Sequence, residues 1–331
     1  MEKKNIWNKL LILVIIIAAA LFAVFLVMRY QSSRKMDLSH SYSSGETELS
    51  ESAKAEGFSK KLVVSDNSVN QDGLVLTSDS EKALLFNLDD KSVKFAQNIY
   101  ERTYPASITK IMTAILVLKY GNMDDTVTMT DEDFALEEGS QVSGMISGDT
   151  LTMRQLFNTL LIYSANDAAM AIARHIGGTV ENFVAMMNEE AKKLGMIGSN
   201  FENPHGLHSE NHYTCAYDVY LMLNEALNYS DFRDTIQMSM YTLTVTGVDG
   251  AQRSYRLDST DKYLTGVKSI PDGISLWGGK TGTTPQAGSC LALAGQNKKG
   301  IPYIAVILNA DNSSILYTDM SLLLSSMNDN Y

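Results

Sequence analysis

Three short groups of residues follow one another along the chain in an order that can build an acyl-transfer site without histidine. They have the patterns Ser-x-x-Lys, Ser-x-Asn and Lys-Thr-Gly, and they lie at Ser107 to Lys110, Ser164 to Asn166 and Lys280 to Gly282. Acyl transfer needs a hydroxyl nucleophile, a base that takes its proton, and donors that stabilise the developing negative charge. The three groups together supply each of these parts, and their order is a known signature of serine acyl-transfer chemistry.

Ser107 and Lys110 are predicted to lie on one side of a helix. Pro105 suits the start of a helix, and residues three apart are neighbours on its surface. Lys110 can take the Ser107 proton only if its pKa is lowered by burial or by a second cation, for which Lys280 is a candidate. By itself Ser107 is equally an ordinary first-turn serine. The context favours the catalytic interpretation, because the apolar residues that follow have the spacing of a buried helical face: Ile108, Ile111, Met112, Ile115 and Leu116.

Ser164 and Asn166 place a hydroxyl and an amide at the end of the apolar run 156–163. Ser164 can relay a proton, and Asn166 can hold a substrate amide. A helix cap is the alternative interpretation for both residues. Their position between the other two groups favours catalysis, although the pattern also begins at Ser65, Ser209 and Ser326, just as Ser-x-x-Lys also occurs at Ser32 to Lys35.

The segment Lys280 to Thr283 is predicted to be a strand that faces the other two groups. Two glycines precede it, and glycine lets a ligand or another backbone approach closely. Side chains alternate along a strand, so we expect Lys280 to face the nucleophile. We expect the hydroxyls of Thr281 and Thr283 to bind a carboxylate. A solvated lysine at a strand edge is the alternative.

Three histidines cluster at His205, His208 and His212. The last two have the i, i+4 spacing that can bind zinc on a helix, but the proline, glycine and asparagine around them break any helix. We therefore expect these histidines to make hydrogen bonds within a loop, with no metal and no cofactor. Cys215 and Cys290 lack metal-type spacing. Buried free thiols are the favoured interpretation, and a single disulfide stays open.

The bulk composition permits a large core and argues against one class of partner. The chain has 331 residues, of which 45% are hydrophobic. Its formal net charge is −11, whereas a nucleic-acid binder needs a basic face. We therefore expect no nucleic-acid partner.

The N-terminal 1–30 segment is predicted to be an uncleaved signal anchor. Lysines precede the run Leu10 to Met28, whose nineteen residues include no charged side chain. As a helix this run is about 28 Å long, which is close to the hydrocarbon thickness of a bilayer. We expect a single-pass anchor in the cell membrane. Basic residues flank both ends of the run, so charge does not set its orientation, and the expected extracytoplasmic position of the folded region follows from the function that we expect for it. The polar segment 31–61 is predicted to be a flexible tether.

The region 62–331 is predicted to be one domain whose strands at both ends form one sheet around a helical insertion at about 120–235. The expected strands include two pairs at opposite ends of the domain, and the long helical patterns lie between them or after them. The strand pairs are 73–77 with 83–87 and 289–295 with 301–308, and the helical patterns are 152–176, 180–194 and 312–326.

Beyond the three groups, the chain resembles the D-alanyl-D-alanine carboxypeptidases, the low-molecular-mass penicillin-binding proteins of the S11 serine peptidase type. The similar region runs from about Leu74 to Leu308. The segments that carry the resemblance are Pro105 to Ala114, Ser164 to Ala169, Asn203 to Leu207 with His212 and Tyr213, and Gly279 to Thr284 with Ala287 and Gly288.

The resemblance implies an α+β fold with a five-stranded antiparallel sheet flanked by helices and a helical subdomain. It implies Ser107 as acylated nucleophile, Lys110 as general base and Ser164 as proton relay. Asn166 and Lys280 would orient the substrate, and the backbone N–H groups of Ser107 and Thr283 would form the oxyanion hole. Substrate binding would also involve Thr281, Gly282 and Thr283, with the threonines at the terminal carboxylate. Many members carry a further β-rich domain after the catalytic one, which we do not expect here because a hairpin and a helix account for the roughly fifty residues after Lys280.

We therefore expect a serine D,D-carboxypeptidase that removes the terminal D-Ala of peptidoglycan pentapeptides and binds β-lactam antibiotics covalently. A D,D-endopeptidase would use the same residues and stays open. A class A β-lactamase is a further alternative, although the deacylating Glu-x-x-Leu-Asn loop of that class is missing. A penicillin receptor or scaffold is the alternative that is not an enzyme.

Overall fold

The computed structural model describes residues 66–70 and 73–328. Contacts divide the chain into the units Met1–Phe58 and Ser59–Tyr331, and all described residues belong to the second. The predicted anchor at 1–30 and the predicted tether at 31–61 therefore lie outside the described residues. Within the described ranges, no helix is both long and apolar enough to cross a membrane.

A six-stranded antiparallel sheet forms the centre of the described region, with strand order β1-β3-β2-β10-β9-β8. Strand β1 has only two residues, so the sheet consists of five full strands and a short edge strand. The predicted α+β class and the antiparallel sheet flanked by helices are confirmed. The strands are β1 (Val69–Asn70), β2 (Lys82–Asn87), β3 (Ser92–Gln97), β8 (Ser275–Thr284), β9 (Gly288–Gln296) and β10 (Pro302–Ala310).

The predicted hairpin near the end of the chain is confirmed as β9 and β10. Its turn is held by the side chain of Asn297, which accepts hydrogen bonds from the backbone N–H groups of Lys299 and Ile301 at 2.9 and 3.0 Å. Gly300 completes the turn with φ of 78°, a conformation that favours glycine. The edge strand β8 pairs with β9, and this pairing fixes the position of the Lys-Thr-Gly group.

The prediction of a strand at 73–77 is wrong. The partner of β2 is β3, and the 73–77 segment instead runs against the terminal helix, where Thr77 N–H and Oγ1–H donate to the carboxylate of Asp319 at 3.0 and 2.8 Å. Leu76 is buried against that helix, and Leu74 packs beside it. Their apolar pattern therefore reflects packing against a helix and not strand pairing.

Between β3 and β8 the chain forms helices and a second sheet that the sequence did not predict. This sheet has four strands in the order β4-β5-β6-β7. They are β4 (Thr126–Thr128), β5 (Thr150–Thr152), β6 (Met240–Thr246) and β7 (Gln252–Asp258). The α-helices, including the terminal one, are α1 (Lys110–Tyr120), α2 (Met153–Asn158), α3 (Asn166–Gly177), α4 (Val180–Leu194), α5 (Ala216–Ala226), α6 (Ser230–Ile236) and α7 (Ser313–Ser326).

The predicted helix at 152–176 is interrupted at its centre. Helix α2 continues into a π-helical turn, Thr159–Tyr163. Ser164 then adopts a left-handed conformation with φ of 67°, and α3 begins two residues later. The apolar run gives no sign of this break, because its residues are buried on both sides of it. The break turns the Ser-x-Asn group out of the helix axis and towards β8.

Two hydrophobic cores lie on the two faces of the main sheet. Helix α7 covers one face, and α1 and α5 pack against the other. Helix α1 is buried without interruption from Lys110 to Val117. It is thus a central helix surrounded by other elements, not an amphipathic surface helix. The helix that follows Ser107 is consequently one of the most enclosed elements of the fold.

A pair of buried carboxyl groups lies between the start of β2 and helix α7. Glu81 and Asp319 both have no exposed surface. Burial, followed by the nearby charge of Asp319, raises the pKa of Glu81 to about 8. Because the folded state disfavours the ionised form of Glu81, the free energy of unfolding is highest while this carboxyl group is protonated. It decreases as the pH rises from about 4.5 to about 8.

We predict that Glu81→Gln removes much of the loss of stability between pH 5 and pH 8. The amide keeps the shape of the protonated carboxyl but cannot ionise. The unfolding free energy of the variant relative to wild type should increase between these pH values by on the order of 3 kcal/mol. Urea unfolding of both proteins at several pH values measures this difference.

Glu181→Gln is the matched control, because Glu181 is an exposed carboxylate in the first turn of α4. Its unfolding free energy should follow that of wild type at every pH. A constant difference between Glu81→Gln and wild type from pH 5 to pH 8 would contradict the assignment of the raised pKa to Glu81.

Candidate active site

Ser107 lies in a tight 3₁₀ turn, Ala106–Thr109, that leads directly into α1. Ala106 has φ of 47°, which is unusual for a residue other than glycine. The turn is closed by Thr109, whose hydroxyl donates to the carbonyl of Ala106 at 2.8 Å. Gly206 packs behind it, and a Cβ at this position would lie 1.8 Å from the Ala106 oxygen. This close approach accounts for the glycine in the central loop.

The amine of Lys110 is fully buried and lies 2.9 Å from the hydroxyl of Ser107. It also donates to the side-chain oxygen of Asn166 and to the carbonyl of His205, each at 2.7 Å. These two oxygens can only accept hydrogen bonds. A neutral amine has two N–H groups and one lone pair, so the lone pair is left facing Ser107. The geometry therefore lets Ser107 donate its proton to Lys110.

The pKa of Lys110 is lowered well below its usual value. Burial is the main cause, because it disfavours the charged form, and the charge of Lys280 acts in the same direction. Asp167 opposes both effects. Its buried carboxylate is held by the hydroxyl of Ser143 at 2.7 Å. The environment of Lys110 thus favours the neutral amine that a base requires.

The left-handed conformation at Ser164 brings the Ser-x-Asn group to the cleft. Asn166 begins α3, and its backbone N–H donates to the carbonyl of Gln141 at 2.8 Å. The side-chain amide of Gln141 donates in turn to the carbonyl of Tyr163. These bonds attach the loop around Gln141 to the segment that carries Ser164. The loop was not predicted to contribute to the site.

Lys280 lies on β8 and faces the other two groups. Its buried amine donates to the hydroxyl of Ser164 and to the carbonyl of Thr281, each at 2.9 Å. Burial lowers the pKa of Lys280 to about 7, and the charge of Asp261 opposes this shift. Because Ser164 accepts a hydrogen bond from Lys280, its own proton is free to point elsewhere.

Gly282 allows β8 to approach the nucleophile. A Cβ at this position would lie 2.9 Å from the backbone nitrogen of Ser107 and 3.0 Å from the carbonyl of Pro105. Any larger residue would push the strand away from the turn that holds Ser107. The glycine of the Lys-Thr-Gly group is therefore explained by close packing of two backbones.

The sequence-predicted residues meet at one cleft of about 320 Å³. Ser107, Ser164 and Asn166 line one side, and Thr281, Gly282 and Thr283 line the other. Lys110 and Lys280 lie beneath them, in contact with Ser107 and Ser164. All eight residues are thus brought together, although their chemical roles remain predictions.

Lys262 is a residue of the cleft that sequence reasoning missed. Its amine donates to the hydroxyl of Ser313 at 2.7 Å, and it lies over the ring of Tyr317. Among the described residues that line the cleft, it has the only ionic side chain. Thr260, two residues earlier, shares a hydrogen bond with the hydroxyl of Thr281. No local pattern marked this loop, which reaches the site only through the fold.

Two of the three histidines make hydrogen bonds near the site, whereas His208 packs edge-on against the ring of Tyr104 and its buried Nδ1 has no hydrogen-bond partner among the described residues. His212 contacts the hydroxyl of Thr109 at 2.8 Å through Nε2, and its Nδ1 accepts from the backbone N–H of Glu202 at 3.1 Å. His205 accepts a hydrogen bond from the backbone N–H of Leu207. Burial lowers the pKa of His205 to about 3 and that of His212 to about 4. Both are therefore neutral and support the central loop.

The two cysteines are free and buried in the structure, as the favoured interpretation predicted. Cys290 lies on β9 next to the cleft. Burial raises its pKa to about 12, so the thiol stays protonated and unreactive.

Comparison with known proteins identifies one family and several relatives to which this chain is similar. The family described as Peptidase S11, D-alanyl-D-alanine carboxypeptidase, matches residues 65–312. The D-alanyl-D-alanine carboxypeptidase DacF of Bacillus subtilis is 35% identical over 248 residues, which are 71% of this chain and 58% of DacF. The corresponding DacD of Escherichia coli is 32% identical over 66% of this chain and 55% of DacD. The chain thus spans somewhat more than half the length of these relatives.

Solved structures have the same fold. The DD-transpeptidase of Streptomyces K15 is 26% identical, with a TM-score of 0.69 over 76% of this chain and 97% of the transpeptidase. Penicillin-binding protein D2 of Listeria monocytogenes, solved in its cefotaxime-bound form, is also 26% identical, with a TM-score of 0.62 over 77% of this chain and 98% of that protein. From the family match and the identity to DacF, this chain belongs to the S11 peptidases, the family of the D-alanyl-D-alanine carboxypeptidases.

Proposed function

We propose that this protein is a serine D,D-carboxypeptidase that removes the terminal D-Ala from peptidoglycan stem peptides through an acyl-enzyme on Ser107. The observation that carries the proposal is the buried amine of Lys110, which lies 2.9 Å from the Ser107 hydroxyl while its other neighbours, Asn166 and His205, take its N–H groups. The family membership and the names of the relatives support the substrate class.

The first half-reaction forms an ester on Ser107. Its Oγ attacks the carbonyl carbon of the D-Ala–D-Ala peptide bond, and its proton passes to the lone pair of Lys110. The backbone N–H groups of Ser107 and Thr283 receive the developing negative charge. The carbon–nitrogen bond then breaks, and the proton returns through the hydroxyl of Ser164 to the nitrogen of the leaving D-Ala.

The second half-reaction removes the acyl group. Lys110, again neutral, takes a proton from a water molecule that attacks the ester carbonyl. The ester bond breaks, and the proton returns to the oxygen of Ser107. A β-lactam forms the same ester, but its leaving nitrogen stays attached to the acyl group and does not vacate the site. A stable adduct instead of turnover is therefore expected, which separates this proposal from a β-lactamase.

The free carboxylate of the terminal D-Ala needs a partner in the cleft. Lys262 supplies the one ionic side chain among the described lining residues, beside the hydroxyls of Thr260, Thr281 and Ser313. A carboxylate held by a cation and hydroxyl groups in a partly enclosed cleft is bound more strongly than at an open surface. Recognition of this carboxylate distinguishes a carboxypeptidase from an endopeptidase.

We predict that penicillin forms one covalent adduct, on Ser107. Intact-protein mass spectrometry should show one penicilloyl group on the wild type and none on Ser107→Ala. Lys110→Met should keep the fold and lose at least about a hundredfold in acylation rate, because general base catalysis contributes factors of this size.

Lys299→Met is the matched control, since Lys299 is an exposed lysine in the turn between β9 and β10. Penicillin should acylate the Lys299→Met variant at the wild-type rate. An adduct of equal yield on Ser107→Ala, or acylation of Lys110→Met at the wild-type rate, would refute the assigned roles. Rapid release of hydrolysed penicillin from wild type would favour the β-lactamase alternative.

We predict that Lys262→Met selectively impairs substrates that end in a free carboxylate. The ratio of kcat/KM for a peptide ending in D-Ala-D-Ala to that for the same peptide ending in an amide should fall about tenfold or more, since a charge-assisted hydrogen bond of about 1.5 kcal/mol or more is lost. Product analysis by liquid chromatography measures both rates.

The same experiment separates the peptidase alternatives. Wild type should release D-Ala from a pentapeptide faster than it cleaves a dimer cross-linked through a lysine side-chain amine, whose scissile bond lacks an adjacent free carboxylate. If Lys262→Met lowers the rates on the acid and on the amide equally, Lys262 does not bind the carboxylate. Faster cleavage of the dimer by wild type would identify an endopeptidase.

We further propose that the apolar run Leu10 to Met28 anchors the enzyme in the cell membrane, with the catalytic region on the extracytoplasmic face. The length of the run and its lack of charge support this proposal. The proposed substrate supports it too, because the cell wall lies outside the membrane.

The full chain should sediment with membranes and resist extraction by high salt, whereas a chain that begins at residue 62 should stay in solution. Salt extraction of the full chain would contradict the anchor.

A further inference from the structure

Asp261 is a buried carboxylate next to the active site that the mechanism above does not use. It is only 3% exposed. One of its oxygens accepts hydrogen bonds from the backbone N–H of Tyr263 at 2.9 Å and from the hydroxyl of Tyr317 at 3.4 Å. The other, Oδ2, is buried and has no hydrogen-bond partner among the described residues. A buried carboxylate oxygen without a partner is unfavourable unless a cation lies nearby.

The buried cation whose charge Asp261 influences is Lys280. The hydroxyls of the neighbouring residues Thr260 and Thr281 are hydrogen-bonded to each other, which holds the loop of Asp261 against strand β8. Burial raises the pKa of Asp261, and the positive charge of Lys280 opposes this rise. Burial lowers the pKa of Lys280, and the negative charge of Asp261 opposes this fall. Among the described residues, the hydrogen-bond acceptors of Lys280 are the neutral oxygens of Ser164 and Thr281. The positive charge of Lys280 is thus compensated by Asp261 and not by the neutral groups to which Lys280 donates hydrogen bonds.

The chemistry needs the two buried lysines in different states. Lys110 has to be neutral to take a proton, and Lys280 has to be charged to stabilise negative charge and to keep Lys110 neutral. Burial alone disfavours the charge on both amines. A carboxylate that acts on Lys280 favours the charged form of that amine over the charged form of Lys110, because opposite charges interact more strongly in a buried site than in water.

We propose that Asp261 is a positioning residue of the active site that keeps Lys280 positively charged at the pH at which Lys110 is neutral. The proposal rests on the serine acyl-transfer function proposed above. Asp261 does not touch the substrate or the reacting atoms, and it acts through Lys280.

Other charged and titratable groups around the pair do not replace Asp261. Asp167, on α3, acts on Lys110 and is bonded to Ser143. Tyr317 on α7 and Tyr263 are phenols whose pKa values burial raises, to about 12 for Tyr263. Lys262 follows Asp261 directly, but its amine points to Ser313. Asp261 is consequently the acidic group positioned to compensate Lys280.

The test is the pH dependence of acylation in Asp261→Asn. The amide oxygen can still accept from Tyr263 and Tyr317, so the fold should be kept, while the negative charge of the carboxylate is lost. The second-order rate constant for acylation by a fluorescent penicillin is measured from pH 5 to pH 11, per titrated active site. We expect a rate close to wild type on the acid side and a loss of about tenfold on the alkaline side, which corresponds to a decrease of about one unit in the pKa of Lys280.

Two further variants complete the test. Asp261→Glu restores the carboxylate and should move the alkaline limb back towards wild type. Asp258→Asn removes an exposed carboxylate at the end of β7 and should leave the profile unchanged. A profile of Asp261→Asn that matches wild type, or that falls equally at every pH, overturns the proposal. If wild type forms no adduct at any pH, the function proposed above has failed instead.

Discussion

The site depends on the burial of two lysine amines within contact of two serine hydroxyls. Lys110 and Lys280 are both enclosed, and each lies 2.9 Å from the hydroxyl it serves. Water would keep both amines charged, and a charged Lys110 could not act as a base. The fold excludes water by placing Lys110 at the start of a helix whose first two turns are buried and Lys280 on a strand of the main sheet. Packing and chemistry are therefore set by the same elements.

The second requirement of the site is that neighbouring backbone segments pack closely against the turn that holds Ser107. Glycine residues allow this close packing. Gly206 packs against the carbonyl of Ala106, and Gly282 against the nitrogen of Ser107. The turn of the nucleophile is held between these two contacts, so its unusual backbone conformation at Ala106 is fixed from both sides. The nucleophile is thus oriented by neighbouring backbones before any substrate arrives.

The sequence predicted the residues whose context is local and missed those that the fold brings in from elsewhere. Ser107, Lys110 and Lys280 could be found because a helix pattern or a glycine pair adjoins them. Lys262 and Asp261 could not, because a loop with no periodicity carries them to the cleft. The break at Ser164 was hidden by apolar residues that are buried on both sides of it. The strand expected at 73–77 failed because burial against α7 imitates the pattern of a strand.

Helix α1 is buried along its first two turns, and this has a consequence for which parts of the site can move. A segment at the centre of the core opens only when the whole domain unfolds, whereas surface loops open with little free energy. Lys110, the proposed base, is therefore held in place unless the domain unfolds. Local motion is expected instead at the entrance to the cleft, which the loop around Gln141 lines.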